Sequence, residues 1–342
     1  MPDAERHEKR AVLFPWIRIR PTISVLVPTY NRPHELALCL DGFAHQTVSK
    51  DEFEIVVVDD GSTEDLAPAL SGPQHDLNLR LIRTSHAGPG AARNIALGRA
   101  RADVLLLYDD DLRPTPDLIQ YCLEFHREHR AEEDMALLRF GPDPTIAESP
   151  FEAWAFQMLY PFPRDAGVHG WARFWTGTLT VKKSLFRFGQ FDPAYQMLED
   201  AELGLRLTRN ADIRVHFEPR LMGNFTRHVT IQQICSRQYT VGYYTYVFAQ
   251  QYRGAVDFNY PPYNHPEKYV VRDPKKLEVL IASIHGLDRF GAARGGSESV
   301  RSSKVIHALW STAETHARAE GWMAARDGRR AEPPGSLGPL LA

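Results

Sequence analysis

The chain has 342 residues, 43% of them hydrophobic and 24% charged, with a formal charge of −3, so it can bury a large core and has no global charge that calls for nucleic acid. Its three cysteines, Cys39, Cys122 and Cys235, are dispersed and odd in number, which argues against a disulfide framework or a cysteine-rich zinc site and fits a reducing compartment. No window reaches the ~18 apolar residues of a membrane span, and the charged start MPDAERHEKR does not read as a signal peptide; a cytoplasmic protein, with peripheral membrane attachment left open, is the expectation.

Ile23–Val27 is a β-branched run ending at Pro28-Thr29-Tyr30-Asn31-Arg32-Pro33. Asn31 reads as the cap, and Pro33 as the first turn, of a helix over His34–Gln46 that buries Leu36, Cys39, Leu40 and Phe43. Phe53–Val58 is a second strand, followed by Asp59-Asp60-Gly61-Ser62, where Ser62 and Asp65 form a capping box for a short helix. Leu79–Ile82 is a third strand, leading through HAGPGAARN to a helix that ends at Arg99. The fourth, Val104–Tyr108, is a continuous apolar run expected to be covered on both faces. It meets Asp109, Asp110 and Asp111, after which Pro114 and Pro116 interrupt regular structure.

This alternation implies βαβ units and a parallel sheet, with any ligand beyond the carboxyl ends of the strands. The groups placed there suit a nucleotide: the Thr29 hydroxyl, the flat face of Tyr30, the Asp60 acceptor, and Arg93 at a helix beginning. Each also has a plain reading, as edge cover, turn or surface ion pair, but their shared edge argues against coincidence. Three adjacent carboxylates repel unless a cation or hydrogen-bond donors compensate, so a divalent metal is a natural partner; a solvated acidic turn is the competing reading. Neither GxGxxG nor GxxxxGK[ST] follows the first strand.

Farther on, Asp117–Arg130 reads as a helix, Ala136–Phe140 as a strand and Pro142–Pro150 as a loop. The aromatic stretches Phe151–Phe162 and Trp171–Trp175 serve as core or as platforms for sugar rings, core being favoured. Gly177 permits close approach of a ligand to backbone, or is a plain turn into a strand at Thr178–Val181, with a short helix at Lys182–Phe188. In MLEDAELGLR, Glu199 and Asp200 open a helix that buries Leu203 and Leu207. Acids suit a helix start, and one of them can serve as general base if the fold brings it opposite the metal.

PTYNRP, VVDDGS, GPGAARN, YDDD and LEDAELGLR, in this order over about Ile23–Phe225, resemble family 2 glycosyltransferases. The resemblance implies a GT-A fold, an α/β Rossmann-like mixed sheet, here with a helical C-terminal extension. It implies metal-dependent inverting transfer from a nucleotide-diphospho-sugar, UDP foremost, to an acceptor hydroxyl. Pro28, Thr29 and Tyr30, with Arg32 beside them, would line the donor site; Asp60 would accept from the base and Arg93 face the diphosphate. Asp109-Asp110-Asp111 matches the family's DxD, with Asp110 near the ribose and Asp111, with Asp109, on Mn²⁺ or Mg²⁺. Gly177 and Thr178 would lie beside the donor sugar, and Asp200 would be the base with Glu199 its neighbour. His228 is a further candidate metal ligand, against a structural or solvent-exposed role, and Arg237 could reach a phosphate.

The last third reads as a helix over Thr230–Gln251 and helical segments at Lys275–His285 and Ser302–Arg326, linked by a flexible Gly291–Arg301, with a poorly ordered tail at Glu332–Ala342. The expected division is a catalytic domain over 20–228, a helical region over 229–330 that completes the acceptor site or a homodimer interface, and a tail over 331–342. The acceptor, whether glycan, lipid-linked sugar, peptide or small molecule, is left open. A nucleotidyltransferase would want a glycine-rich basic loop after the first strand. A non-catalytic nucleotide-sugar-binding relative would show no turnover, and a haloacid-type phosphohydrolase would carry its aspartates after its first strand.

Overall fold

Apolar runs without polar alternation build the centre of the molecule. In the computed structural model, which describes residues 20–71, 76–145, 149–254, 265–273, 275–276, 279–280, 282–283 and 304–331, four of these runs form parallel strands. They are β1 (Ile23–Thr29), β2 (Phe53–Asp59), β3 (Leu79–Arg83) and β4 (Val104–Tyr108), in the spatial order β3-β2-β1-β4. Ile23 pairs with both Phe53 and Val104, and Thr29 with Asp59, so the strands deliver their carboxyl ends to one edge. Residues alternate between two cores: Val25, Val27, Val57 and Leu106 face α1 (Pro33–Ala44), while Leu26, Val56 and Leu107 face α2 (Pro89–Arg99). Cover on both faces explains why these strands show no polar alternation.

The sheet then changes direction. After β5 (Leu112–Pro114), α3 (Leu118–Glu128) and β6 (Asp134–Pro142), the chain passes through α4 (Pro150–Leu159) and β7 (Gly167–His169) to β8 (Thr178–Lys182). β8 runs antiparallel between β4 and β6; α5 (Glu199–Leu207) follows, and β9 (Arg214–Phe225) pairs parallel with β6. β5 and β7 pair antiparallel with β9, which completes a nine-stranded mixed sheet. As expected from Pro114 and Pro116, regular structure does not run on unchanged: β4 stops at Tyr108, and the three-residue β5 ends at Pro114 on the sheet edge, where a proline without N–H is tolerated.

Two cap assignments are corrected. Asn31 is not the cap of α1; it takes a left-handed φ of 52°, and its Oδ1 accepts from the backbone N–H groups of Thr63 and Glu64. Ser62 caps no helix; its Oγ accepts from the Asn31 N–H, and its own N–H donates to Asp59 Oδ1. The loops after β1 and β2 are thus clasped to each other, and the short helix is a 3-10 turn at Ala67–Leu70. At the opposite edge, fully buried Glu54 accepts from Ser24 Oγ at 2.6 Å, from the Arg101 N–H and Nε, and from Arg80.

α6 (Ile231–Gln251) begins at a Thr230–Gln233 capping box and packs along α7 (Lys304–Arg326). The pair touches backbone to backbone: a Cβ on Gly242 would lie 2.0 Å from the Arg318 carbonyl oxygen, and one on Gly321 1.8 Å from that of Tyr239. Phe151 of α4, Ile234 and Tyr239 of α6, and Trp310 and Ala317 of α7 share one core. Phe156, Tyr160 and Phe162 pack around Phe140, in keeping with the core reading of those aromatics. No described helix is long and apolar enough to cross a membrane. The expected link at 291–301 and tail at 332–342 lie outside the described residues, as do residues 277, 278, 281, 284 and 285 of the expected helix at 275–285.

Candidate active site

The carboxyl edge of the parallel strands is cut by two cavities with a common wall. One, of about 310 Å³, is lined by Pro28, Thr29, Tyr30, Arg32, Asp60 and Asp110. The other, of about 440 Å³, is lined by Trp175, Gly177, Thr178, Asp200 and Arg237. Arg93, Asp109, Met197 and Glu199 line both. Arg93 is the centre of that wall: its guanidinium, 5% exposed, donates to Asp109 Oδ1 at 2.8 Å and to Glu199 Oε1 at 2.7 Å. β4, α2 and α5 therefore meet through one buried cation.

The acid run after β4 divides its three side chains. Asp109 faces the shared wall, and its N–H donates to the Gly177 carbonyl. Asp110, 2% exposed, takes Arg32 Nη1 at 2.7 Å. Asp111 accepts from Arg32 at 3.2 Å and Arg227 at 3.3 Å, while its backbone carbonyl takes the Thr226 N–H and hydroxyl. Burial lifts the Asp110 carboxyl to about 7; Arg32 opposes this and the charge of Asp111 adds to it. Asp111 is likewise raised by burial.

On the nucleotide side, Tyr30 is 40% exposed and stacks on His86 with ring centroids 4.3 Å apart. Asp60 lies at the cavity wall with both oxygens engaged: Oδ1 accepts from the Ala87 N–H and Oδ2 from the Gly88 N–H, each at 2.9 Å. This holds Gly88, at φ 92°, at the start of α2, whose N-terminus opens on the cavity through Pro89. Opposite, Glu199 and Asp200 start α5, preceded by Leu198 at a left-handed φ of 64°. Asp200 is half-buried; burial and the neighbouring Glu199 charge raise its carboxyl to about 7 against the pull of Arg93.

Pro28, Thr29, Tyr30, Arg32, Asp60, Arg93, Asp109, Asp110, Gly177, Glu199 and Asp200 are thus brought to one edge. Thr178 lines the second cavity, but its hydroxyl donates to the Leu138 carbonyl at 2.6 Å. His228 is placed elsewhere: its exposed ring hydrogen-bonds Glu152 at 2.8 Å, and its neighbour Arg227 reaches Asp111 instead. Sequence reasoning missed Arg227 and His86; a cation beside the singled-out histidine, and an aromatic ring just before GPG, were the available signals. A separate set, His129, Asp134 and His216, has ligand atoms within 4.8 Å of one another, with Asp134 already bonded to Arg214 and His216. It lies at the opposite edge, where β6 begins, and is not the acid run.

Residues 24–145 match the family described as Glycosyl transferase family 2. This segment is a family 2 glycosyltransferase domain. The poly(ribitol-phosphate) β-N-acetylglucosaminyltransferase TarS of Staphylococcus aureus is 35% identical over 111 residues, 32% of this chain and 19% of its own length. The validoxylamine A glucosyltransferase of Streptomyces hygroscopicus is 27% identical over 216 residues, 55% of this chain and 48% of its own length. The chain thus spans about half the length of the second relative and far less of the first. Among solved structures, residues 1–349 of S. aureus TarS superpose with a TM-score of 0.52 at 18% identity, covering 90% of this chain and 92% of that one. The mannosyltransferase PcManGT of Pyrobaculum calidifontis, in complex with GDP-Man and Mn²⁺, gives 0.52 at 19% identity, covering 86% of each. At such identities the likeness shows the fold. The glycosyltransferase domain has the GT-A architecture expected from its motifs, and the helical C-terminal region is present.

Proposed function

We propose that the chain is an inverting glycosyltransferase that moves a sugar from a nucleotide-diphospho-sugar to an acceptor hydroxyl, with Asp200 as general base. The observation that carries this is the shared wall: two cavities, one suited to a nucleotide and one holding Asp200, meet at Arg93, Asp109 and Glu199. A displacement at an anomeric carbon needs leaving group and nucleophile on opposite sides of the reacting atom, and two cavities with one boundary supply both sides. In this reading residues 20–228 bind the donor and catalyse, while 229–330 complete the acceptor side.

The site's own residues suit a divalent cation. The carboxyl groups of Asp109, Asp110, Asp111 and Glu199 outnumber the guanidinium groups of Arg32, Arg93 and Arg227 that pair with them, and burial raises Asp110 and Asp111, so a cation there would favour their ionised forms. Gly177 leaves open the space beside Asp109 Oδ2, where a Cβ would come within 3.0 Å. Carboxylate oxygens are the hard donors Mg²⁺ and Mn²⁺ prefer, so Asp109 and Asp111 would hold the ion. When bound, the cation neutralises charge developing on the departing diphosphate.

The remaining steps belong to the chain. Tyr30 and His86 offer an aromatic wall for the base, and Asp60 shapes the loop around it. Arg93 holds Asp109 and Glu199 in register. Asp200 takes the proton of the acceptor hydroxyl as it attacks, and a single displacement inverts the anomeric centre. The relatives' names make N-acetylglucosamine and glucose the first donor sugars to try, and a TarS structure in complex with UDP-GlcNAc makes UDP the first nucleotide.

The test is calorimetric titration of UDP, with GDP and dTDP alongside, in the presence and absence of Mn²⁺, on wild type and Asp111→Ala. Binding of one nucleotide that requires Mn²⁺ and is weakened by the substitution supports the donor site. Absence of binding by all three with metal would remove it. UDP release from UDP-sugars separates an enzyme from a non-catalytic binding relative.

A further inference from the structure

The second cavity carries a charge that the transfer reaction does not use. Arg237 of α6 lines it together with Asp200, and no carboxylate among the described residues is within ion-pair distance of it. Its neighbours are already satisfied. Arg318 of α7, which lines the same cavity, is held by Glu314 and donates through Nε and Nη2 to Gln238 Oε1 at 3.0 and 2.6 Å, which ties α7 to α6 beside Arg237. Tyr160 and Asp109 line the same cavity as Arg237. Arg93, in contrast, is paired through Nη1 and Nη2 with two carboxylates. A half-buried guanidinium without a counter-charge sits in a partly desolvated place for no structural return, and an oxyanion offering two oxygens is its natural complement.

Resting on the glycosyltransferase reading above, we infer that the acceptor is anionic: it carries a phosphate or carboxylate near the hydroxyl that receives the sugar, and Arg237 binds that oxyanion. Asp200 and Arg237 would then hold the two ends of the acceptor, the base at the hydroxyl and the cation at the anion. Because Asp200 and Glu199 are acidic, an anion enters the cavity favourably only on the Arg237 side, which orients the acceptor as well as selecting it. A neutral acceptor of the same size leaves Arg237 unpaired.

The probes are sn-glycerol 3-phosphate and glucuronate, with glycerol and glucose as their neutral counterparts, titrated by ligand-observed NMR into protein loaded with UDP and Mn²⁺. At least one anion should bind about tenfold or more tightly than its neutral counterpart, and Arg237→Gln should abolish that difference. Whichever anion responds identifies the group as phosphate or carboxylate. Arg237→Lys, which keeps charge but not the planar fork, should retain part of it. UDP affinity of Arg237→Gln should match wild type, which shows that the variant is folded and that Arg237 does not serve the donor diphosphate. Equal binding of anions and neutral compounds, or anion binding untouched by Arg237→Gln, overturns the inference, as does loss of UDP affinity in a folded variant. Failure of wild type to bind any nucleotide is a different result: it removes the glycosyltransferase reading, while an Arg237-dependent anion site is still read in the unloaded protein.

Discussion

Gly321→Ala puts a methyl group where α6 leaves no room for one. Its Cβ would lie 1.8 Å from the Tyr239 carbonyl oxygen, whereas ordinary contact begins at 3.4 Å, so the helix backbones must part by about 1.5 Å. The obstacle is backbone, which cannot swing aside as a side chain can, and the separation would loosen the layer of Trp310, Ala313 and Ala317. Overpacking of this kind costs about 1–3 kcal/mol, with the upper end appropriate here, and exchanging glycine for alanine inside a helix returns about 1 kcal/mol. The net loss is about 1–2 kcal/mol. Gly98→Ala in α2 is the control, since its Cβ meets nothing within 4 Å. There only the propensity contributes, so the same substitution stabilises by about 0.5 kcal/mol near a helix end. Urea unfolding followed by circular dichroism and tryptophan fluorescence should give midpoints shifted in opposite directions, with UDP affinity unchanged in both. If Gly321→Ala is as stable as Gly98→Ala, the helices do not touch as described.

Asp200, raised to about 7 by burial and by Glu199, is a competent base only above that value. UDP release from the favoured UDP-sugar should therefore fall about tenfold per pH unit below about 7 and level off above it. Asp200→Asn should lower the rate by about 10²–10⁴-fold while keeping UDP affinity; a variant with the wild-type rate would take the base role away. Arg93→Met removes a charge that holds the Asp200 carboxyl down, so the acid limb of the remaining activity should move to higher pH. A limb that stays put would show that Arg93 and Asp200 are not coupled. Burial pushes the Glu54 carboxyl up, but hydrogen bonds from Ser24 and Arg101 and the charge of Arg80 prevail, so it lies below the ordinary 4.5. A depressed folded value stabilises above pH 4.5 and is lost as pH falls through it, so Glu54→Gln should cost about 1–3 kcal/mol at pH 7 and progressively less below pH 4. Urea midpoints at the two pH values check this, and a gap independent of pH would refute it.

The parallel half of the sheet was legible because Val25, Val57 and Leu106 belong to unbroken apolar runs, and such runs form where helices cover both faces. β9 escaped because RVHFEPRLMGNF mixes charged residues with Pro219 and Gly223, and its pairing with β6 slips at Leu138 and Arg139. A bulged strand paired with short edge strands keeps no clean period. The acids of the site could be located from their neighbours in sequence, but their partners could not. That Glu199 meets Arg93 across 106 residues, and that Arg227 rather than His228 reaches Asp111, depends on where α5 and β9 return to the sheet. Asn31 was misread for a related reason: its side chain bonds the loop after β2, and a long-range contact of that kind leaves no local trace.

Leu198 has a bearing on how this chain can drift in evolution. A leucine at φ 64° is held in a conformation that β-branched residues adopt at much greater cost, directly before Glu199 and Asp200. Exchanges to valine, isoleucine or threonine, ordinarily mild for an apolar side chain, would twist the first turn of α5 and swing both acids. Glycine or asparagine, ordinarily severe, would leave the turn intact. Substitution tables built on side-chain similarity therefore rank replacements at this position in the wrong order, and libraries that vary the acceptor side of the site should sample it by backbone preference instead.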